Sequence, residues 1–274
     1  LLGIGQTPSE EEVLEIIDVE LDSWGENPRR ATRVLSSLAR HGLPDVARQV
    51  LQLMLARSLE ANVFHCNAAI AACAKSRQWQ LALSLLGSMP SIRLVQDEIS
   101  FNAAITACEK GGQWEVALSL LSSMPDLRVS PSDVSYNAAI SACEKTGQWQ
   151  LALSLLSSMT DFRIVQDEIT YNSAISACGK VGQWQLALYL LSRMPDLQII
   201  PDKISYNAAI TACEKGGQWQ LALSLLTSMP DMKINPNKVS CCASISACEK
   251  GGQWELALKL LSGMPDMRLS PDEI

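Results

Sequence analysis

The sequence contains few of the side chains that enzymes use for acid–base and metal chemistry. His41 and His65 are the only histidines in 274 residues, and aromatic residues make up 5% of the chain. Cys-x-x-Cys pairs, glycine-rich phosphate loops and His-x-Glu deaminase signatures are absent, and the Cys241-Cys242 pair has no histidine at metal-ligand spacing. Without a His–acid pair, no serine is set up as a nucleophile. The sequence therefore predicts a protein that is not an enzyme and that uses no cofactor, metal or small-molecule substrate.

Long apolar runs and an excess of positive charge are absent too. No apolar run approaches 18 residues although 47% of the chain is hydrophobic, so a transmembrane helix and a membrane partner are not expected. The formal net charge of −7 argues against a protein that binds any nucleic acid regardless of its sequence. A local basic stripe on one face remains compatible with that balance.

What the chain does contain is a strict period of 35 residues. The period is marked by six tryptophans: Trp79, Trp114, Trp149, Trp184, Trp219 and Trp254. A fixed period of this length is the signature of a repeat architecture, in which each repeat buries its apolar face against its neighbours. We expect six clear repeats, 63–97, 98–132, 133–167, 168–202, 203–237 and 238–272, preceded by a degenerate repeat, 28–62. Residues 1–27 read as an N-terminal helix, either a cap or part of a decayed repeat, and residues 273–274 would begin a truncated further repeat.

Each repeat predicts two antiparallel helices and no strand. In repeat 203–237 the first helix is expected over 205–215, where Gly216-Gly217 ends it by accepting a left-handed backbone. The second is expected over 219–229, and Pro230 ends or kinks it. The fold class that follows is all-α, a right-handed α-solenoid of stacked helix-turn-helix repeats.

Several periodic columns are interpreted as structural. The cysteines are expected to be reduced core residues, because stacked helices lie about 8–10 Å apart and a disulfide needs Cα atoms within about 7 Å. This column is Cys73, Cys108, Cys143, Cys178, Cys213 and Cys248. The tryptophans read as inter-helix core rather than base-stacking residues, as do Met89, Met124, Met159, Met194, Met229 and Met264. A glutamate column, Glu109, Glu144, Glu214 and Glu249, is predicted to be solvated, since a catalytic pair would be unique rather than periodic.

The repeat motif resembles that of a known family. Its consensus is Ile/Val-Ser/Thr-Tyr-Asn-x-x-Ile, then Cys-x-Lys-x-Gly, Ala-Leu-x-Leu-Leu, Met and Pro-Asp, which is similar to the pentatricopeptide repeat over 63–272 and more loosely over 28–62. The 35-residue period and the Tyr-Asn pair separate it from the 34-residue tetratricopeptide repeat. The chain departs from the family at the exit of the hairpin, where proline follows the methionine and the usual glycine is missing. The prolines are Pro90, Pro125, Pro195, Pro230 and Pro265.

The resemblance implies that each repeat reads about one base of single-stranded RNA. The asparagines of the Tyr-Asn pairs and their counterparts would face the base: Asn67, Asn102, Asn137, Asn172 and Asn207. The last residue of each repeat would support them: Asp97, Ser132, Asp167, Asp202 and Asn237. By the family's code, Asn with Asp favours uridine, Asn with Ser cytidine, and Asn with Asn either pyrimidine. Cys242 replaces the asparagine of the last repeat, and Thr32 with Asn62 would favour adenine if the degenerate repeat reads a base.

Two further columns complete the implied interface. Bases would be sandwiched by Phe64, Ile99, Val134, Ile169, Ile204 and Val239. Phosphates would meet Lys75, Lys110, Lys145, Lys180, Lys215 and Lys250. Structural alternatives exist for each polar column: the asparagines as cap residues, the terminal residues as turn formers, and the lysines as a solvated ladder paired with the adjacent glutamates.

The resemblance thus implies a sequence-specific binder of pyrimidine-rich RNA, roughly 5′-UCUUY-3′ read from the N- to the C-terminus. By family analogy it would serve RNA processing, stability, editing or translation in an organelle, chloroplast or mitochondrion, with protein effectors as further partners. The alternative is a protein-binding α-solenoid scaffold, which the acidic balance of the chain favours.

Overall fold

The computed structural model describes residues 13, 15–17, 21, 24, 28–57 and 59–264, and these contain helices but no strands. The helices with both ends described are α1 Pro28–His41, α2 Pro44–Ala56, α3 Val63–Ser76, α4 Trp79–Ser88, α5 Glu98–Lys110, α6 Trp114–Ser123, α7 Asp133–Lys145, α8 Trp149–Asp161, α9 Glu168–Lys180, α10 Trp184–Arg193, α11 Lys203–Lys215, α12 Trp219–Ser228, α13 Lys238–Lys250 and α14 Trp254–Gly263. Residues 1–12 of the predicted N-terminal helix, Pro265 and residues 273–274 lie outside the described residues.

The chain divides into two compact parts, residues 1–142 and 143–274, with the boundary inside α7. In the first part, Val13, Ile17, Leu21 and Trp24 are buried against the apolar faces of α1 and α2. Their spacing of three to four residues is that of one helical face, which agrees with the helix expected in this segment. The second part has its own core, running from Leu156 to Met264.

Helices pack in consecutive hairpins within each part. The first helix of a repeat packs against the first helix of the next, as in α3 with α5 and α9 with α11. Second helices also pack against the first helix of their own repeat and that of the next, as α10 does with α9 and α11. The apolar face of one repeat is therefore covered by its neighbour, which confirms the predicted all-α stack of helical hairpins.

The cysteine and methionine columns form the centre of these interfaces. The six methionines of the column are fully buried, and the six cysteines of the predicted column are buried free thiols. Burial raises the pKa of Cys108, Cys143, Cys178 and Cys213 to about 11. These thiols are thus neutral core side chains, as the sequence predicts.

The first helices begin earlier than predicted, because the last residue of the preceding repeat is their N-cap. In α11 the Asp202 carboxylate accepts hydrogen bonds from the backbone N–H groups of Ile204 and Ser205, at 2.9 and 3.0 Å. The Ser205 hydroxyl in turn accepts the Asp202 N–H, which completes a capping box. The helix therefore starts at Lys203 rather than at 205. Equivalent capping boxes are made by Asn62, Asp97, Asp167 and Asn237.

Proline ends most of the second helices. Helices α4, α6, α10 and α12 stop two residues before it, and Pro90, Pro125 and Pro195 each open a short 3-10 turn. Where Thr160 replaces proline, the N–H is restored and α8 continues to Asp161. The turn that follows then places a non-glycine residue in the left-handed region: Arg93, Arg128, Arg163, Gln198 and Lys233, with φ of 56° to 62°.

The two glycines that end the first helix have different roles, which corrects the prediction for the pair. Gly217 has φ of 68° and adopts the left-handed conformation, but Gly216 has φ of −81°. Gly216 is required for space, because a Cβ atom there would lie 2.3 Å from Cδ1 of Trp184 in the preceding repeat. The half-buried Trp184 thus packs on the glycine of the next repeat, which supports the core interpretation for this tryptophan. Trp254 is 65% exposed, so the core interpretation is wrong for the last tryptophan of the column.

Candidate nucleic-acid interface

The asparagine column and the apolar sandwich column lie side by side on the first helices. The asparagine is the fifth residue of its helix and the apolar residue is the second, as Asn67 and Phe64 are in α3. A separation of three residues puts both on one face of a helix. The sandwich residues are 52% to 68% exposed, whereas Asn67 is 6% exposed. Each described first helix of repeats 63–237 therefore presents an uncovered apolar side chain beside an amide that lies lower in the surface.

The amide of Asn67 is held between two residues of the next helix. Its Nδ2 donates to the Asp97 carboxylate at 3.0 Å, and its Oδ1 accepts from the Ser100 hydroxyl at 2.6 Å. Asp97 also accepts the Ser100 backbone N–H as the N-cap of α5, at 2.8 Å. One carboxylate thus caps the first helix of the next repeat and orients the asparagine of its own repeat. The sequence prediction paired Asn67 with Asp97 but did not identify Ser100, although its position in a capping-box motif was a usable signal.

The same arrangement recurs around Asn172. Nδ2 of Asn172 donates to Asp202 at 3.2 Å, and the Ser205 hydroxyl donates to Oδ1 at 2.5 Å. Burial by itself raises the pKa of the Asp97 and Asp202 carboxyls, but hydrogen bonds from the serines and asparagines outweigh it and lower the pKa of both below the ordinary value. The carboxylates are thus ionised acceptors over the physiological range.

Asn102 shows what changes when serine replaces the terminal aspartate. The Ser135 hydroxyl still donates to its Oδ1, at 2.5 Å. Its Nδ2, however, lies 3.5 Å from the Ser132 hydroxyl and 3.3 Å from a Glu98 carboxylate oxygen, both long for hydrogen bonds. The nitrogen side of this amide is therefore held more loosely than in Asn67.

The side-chain oxygen of Asn207 lacks the serine hydrogen bond that Asn67, Asn102 and Asn172 accept. The Ser240 hydroxyl, which would reach it, donates instead to the backbone carbonyl of Asn237 at 2.8 Å. Oδ1 of Asn207 is buried and has no hydrogen-bond partner among the residues that the structure describes. The repeat that ends in asparagine therefore has the least constrained amide of those whose contacts are described here.

The remaining positions of the predicted base-reading columns lie in the first helices or at their N-terminal caps. Asn137 is half-buried in α7, and Asp167 is the N-cap of α9. Cys242 is half-buried in α13 at the position of the missing asparagine. In the degenerate repeat, Thr32 lies in α1 and Asn62 caps α3.

The lysine column lies at the C-terminal ends of the first helices and is exposed. Lys180 and Lys250 form ion pairs with the glutamate of the preceding repeat, Lys180 with Glu144 at 2.7 Å and Lys250 with Glu214 at 2.5 Å. The same two glutamates accept hydrogen bonds from Ser176 and Ser246, at 2.9 and 3.1 Å. The glutamate column was predicted to be solvated. This prediction is wrong for Glu144 and Glu214, which bond to a lysine and a serine of the next repeat.

Where the preceding repeat has no glutamate at this position, the lysine donates a hydrogen bond to a backbone carbonyl instead. Gly179 occupies the glutamate position ahead of Lys215, and Lys215 donates to the Lys180 carbonyl at 3.0 Å. Ala39 occupies it ahead of Lys75, whose ammonium group donates to the Arg40 carbonyl. Both carbonyls belong to helix C-termini, where a cation is favoured. These lysines keep a net positive charge that the glutamate-paired ones lose.

Among the residues that the structure covers, no group of three or more His, Cys, Asp or Glu side chains could hold a metal ion. Within the same ranges, no helix combines the length and hydropathy that crossing a membrane would require.

Comparison with protein families identifies the repeats. The PPR repeat family profile matches residues 96–143, 131–178 and 166–215, and a second PPR repeat profile matches 204–234 and 239–269. Residues 31–102 match a profile described as pentatricopeptide repeat-containing protein. The chain belongs to the pentatricopeptide repeat family. A comparison with curated protein sequences returns no match.

Solved pentatricopeptide repeat structures share the fold. The chain is similar to PPR10 in complex with an 18-nt psaJ RNA element, with a TM-score of 0.67 and 22% identity over 89% of this chain and 37% of that one. It is also similar to PPR10 from maize, with a TM-score of 0.59, 19% identity and coverage of 88% and 39%. The PPR domain of Arabidopsis thaliana protein-only RNase P 1 in complex with tRNA gives 0.56, 17%, and coverage of 64% and 93%. The chain spans about two fifths of the length of the PPR10 chains.

Proposed function

We propose that this chain binds single-stranded RNA in a sequence-specific manner, one base per repeat. The observation that carries the proposal is the pairing of an exposed apolar side chain with an oriented amide on successive first helices. Exposed apolar side chains in a regular column are a surface on which bases can stack, and the amide beside each one offers both a donor and an acceptor to the edge of a base.

The order of the pairs gives the target. By the family's code, the asparagine and terminal residues of repeats 63–97 to 203–237 favour 5′-UCUUY-3′, read from the N- to the C-terminus. The similarity of the chain to pentatricopeptide repeat structures in complex with an 18-nt psaJ RNA element and with tRNA supports RNA as the ligand. The chain would act as a clamp that masks or remodels a transcript, without chemistry of its own. By family analogy the setting is organelle RNA processing, stability, editing or translation, where protein effectors would join the complex.

We also propose that the lysines of the column bind RNA phosphates. The contribution of this contact to the affinity differs from one lysine to the next. Lys75 and Lys215 bond only to neutral carbonyls, so their full charge is available to RNA. Lys180 and Lys250 are neutralised by glutamates and would contribute less. A binding term of this kind weakens with salt, because phosphate contacts release counterions.

Fluorescence anisotropy with labelled UCUUU and an equal-length polyadenine, at two salt concentrations, tests the function. Tight, salt-weakened binding to UCUUU alone is expected. Equal, weak binding to both RNAs would contradict sequence-specific recognition. It would indicate that only the contacts between lysines and phosphates contribute to binding. If neither RNA binds, the proposal is wrong, and a protein-binding scaffold becomes the better explanation of the acidic surface.

A further inference from the structure

We infer that the serine at the third position of the following repeat sharpens the preference for uracil over cytosine where the terminal residue is aspartate, by restricting the motion of the base-reading amide. The inference rests on the proposed function and concerns Ser100 and Ser205. Each is fully buried, and each hydroxyl touches the Oδ1 atom of the asparagine 33 residues before it. They are positioning residues, since they act through the asparagine rather than on the base.

The hydrogen-bond pattern allows one orientation of the amide. With Nδ2 of Asn172 on the Asp202 carboxylate and Oδ1 on the Ser205 hydroxyl, both sides of the amide have a complementary partner. A flip would turn the amide oxygen towards a carboxylate, which has no proton to donate, and the NH₂ group towards the hydroxyl. The carboxylate disfavours the flip, because it can only accept hydrogen bonds. The serine hydroxyl can donate to the amide oxygen or accept from the NH₂ group, so it does not select the orientation but holds in place the amide that the carboxylate has oriented.

Orientation matters because the two pyrimidines present opposite patterns. Uracil offers an acceptor, O4, beside a donor, N3–H, whereas cytosine offers a donor, the N4 amino group, beside an acceptor, N3. An amide held in one orientation matches one pattern and mismatches the other, and an amide free to flip matches both. The clamped amides of Asn67 and Asn172 are those that the family's code pairs with uridine.

Asn207 is the internal comparison. Its oxygen has no partner, and Ser240 has turned to the Asn237 carbonyl. This is the repeat for which the code expects either pyrimidine. Within one chain, the asparagine whose oxygen lacks the serine contact is therefore the one for which the family's code expects no discrimination. This position differs from those of Asn67 and Asn172 in the terminal residue and in the direction of the serine hydroxyl.

The test compares Ser205→Ala with Ser205→Thr and Ser240→Ala in the full chain. Ser205 and Ser240 have the same capping-box role, so both alanine variants lose the hydrogen bond from the N-cap N–H, but only Ser205 contacts a base-reading asparagine. The affinities for UCUUU and UCUCU give the uracil-over-cytosine ratio at the fourth base. We expect Ser205→Ala to reduce that ratio about 3- to 10-fold, the size of one lost hydrogen bond. Ser205→Thr should preserve it, since Thr170 occupies this position naturally, and Ser240→Ala should leave it unchanged.

A measurement on the free protein separates this inference from RNA binding itself. The side-chain NH₂ group of Asn172 should be more rigid by NMR relaxation than that of Asn207, and Ser205→Ala should bring the two together. If the wild-type chain binds UCUUU with an unchanged ratio in Ser205→Ala, the inference is wrong although the function stands. If the wild-type chain does not prefer UCUUU to polyadenine, the proposed function fails and the role in selectivity fails with it.

Discussion

At the scale of single residues, the terminal aspartate of a repeat performs two tasks. Asp97 and Asp202 cap the helix that follows them and orient the asparagine of their own repeat. Because one carboxylate serves both contacts, the helix start and the amide are fixed relative to each other. Substitution at this position therefore changes the stability of a helix together with the chemistry of a base contact.

Acid should weaken the fold through these carboxylates. Their pKa is lowered in the folded chain, so they stabilise it above the ordinary aspartate pKa of about 4, and this contribution is lost as the pH falls through the folded value. The double variant Asp97→Asn/Asp202→Asn keeps a capping side chain but removes the titration. We expect the difference in urea midpoint between wild type and variant to shrink as the pH falls below about 4. A difference that stays constant from neutral pH to about pH 3 would contradict this assignment.

At the scale of helices, the repeat boundary depends on close contact as much as on helix propensity. Trp184 opens α10 and lies over Gly216 at the end of α11, so a second helix fixes where the next first helix stops. Proline then sets the end of most second helices, and the one repeat with Thr160 instead has a longer helix. Both devices act at the ends of helices, where backbone groups lack partners within the helix.

Gly216→Ala should destabilise the chain by about 1–3 kcal/mol, because the new methyl group overlaps the Trp184 ring and packed interfaces tolerate extra volume poorly. Gly87→Ala in α4 is the matched control, since nothing lies within 4 Å of its added Cβ. There, alanine should be neutral or stabilising by up to about 1 kcal/mol through helix propensity. Urea denaturation measures both. Equal effects of the two substitutions would show that the tryptophan contact does not require glycine.

At the scale of the whole molecule, the contacts of each reading amide are confined to two consecutive repeats. Within the described residues, the side chain of Asn172 bonds only to the last residue of its own repeat and to the third residue of the next. Reading should therefore be modular, with each repeat choosing its base independently. The ion pairs between lysine and glutamate likewise join consecutive repeats.

Modularity predicts the result of a single exchange. Asn172→Thr removes the amide and should shift the preference at the fourth base from uracil towards a purine, while the other four bases keep theirs. A panel of RNAs varied one base at a time measures this, and Asn207→Thr provides the comparison by acting at the fifth base alone. An unchanged panel would show that the asparagine column does not read bases, and a change at several bases would contradict modular reading.

The amino-acid sequence by itself determined the number and period of the hairpins, the all-α class, the family and the buried columns. Those features follow from residue types that recur every 35 positions, such as those of Trp184, Met194 and Cys213. This period can be read from the sequence without knowing which side chains are in contact. Only the tertiary structure decided which polar side chains meet. The Ser205–Asn172 contact and the Lys180–Glu144 pair join residues more than 30 positions apart, and their partners are set by how one first helix packs on the next. The unpartnered oxygen of Asn207 depends on where a single hydroxyl points, which repeat spacing does not encode.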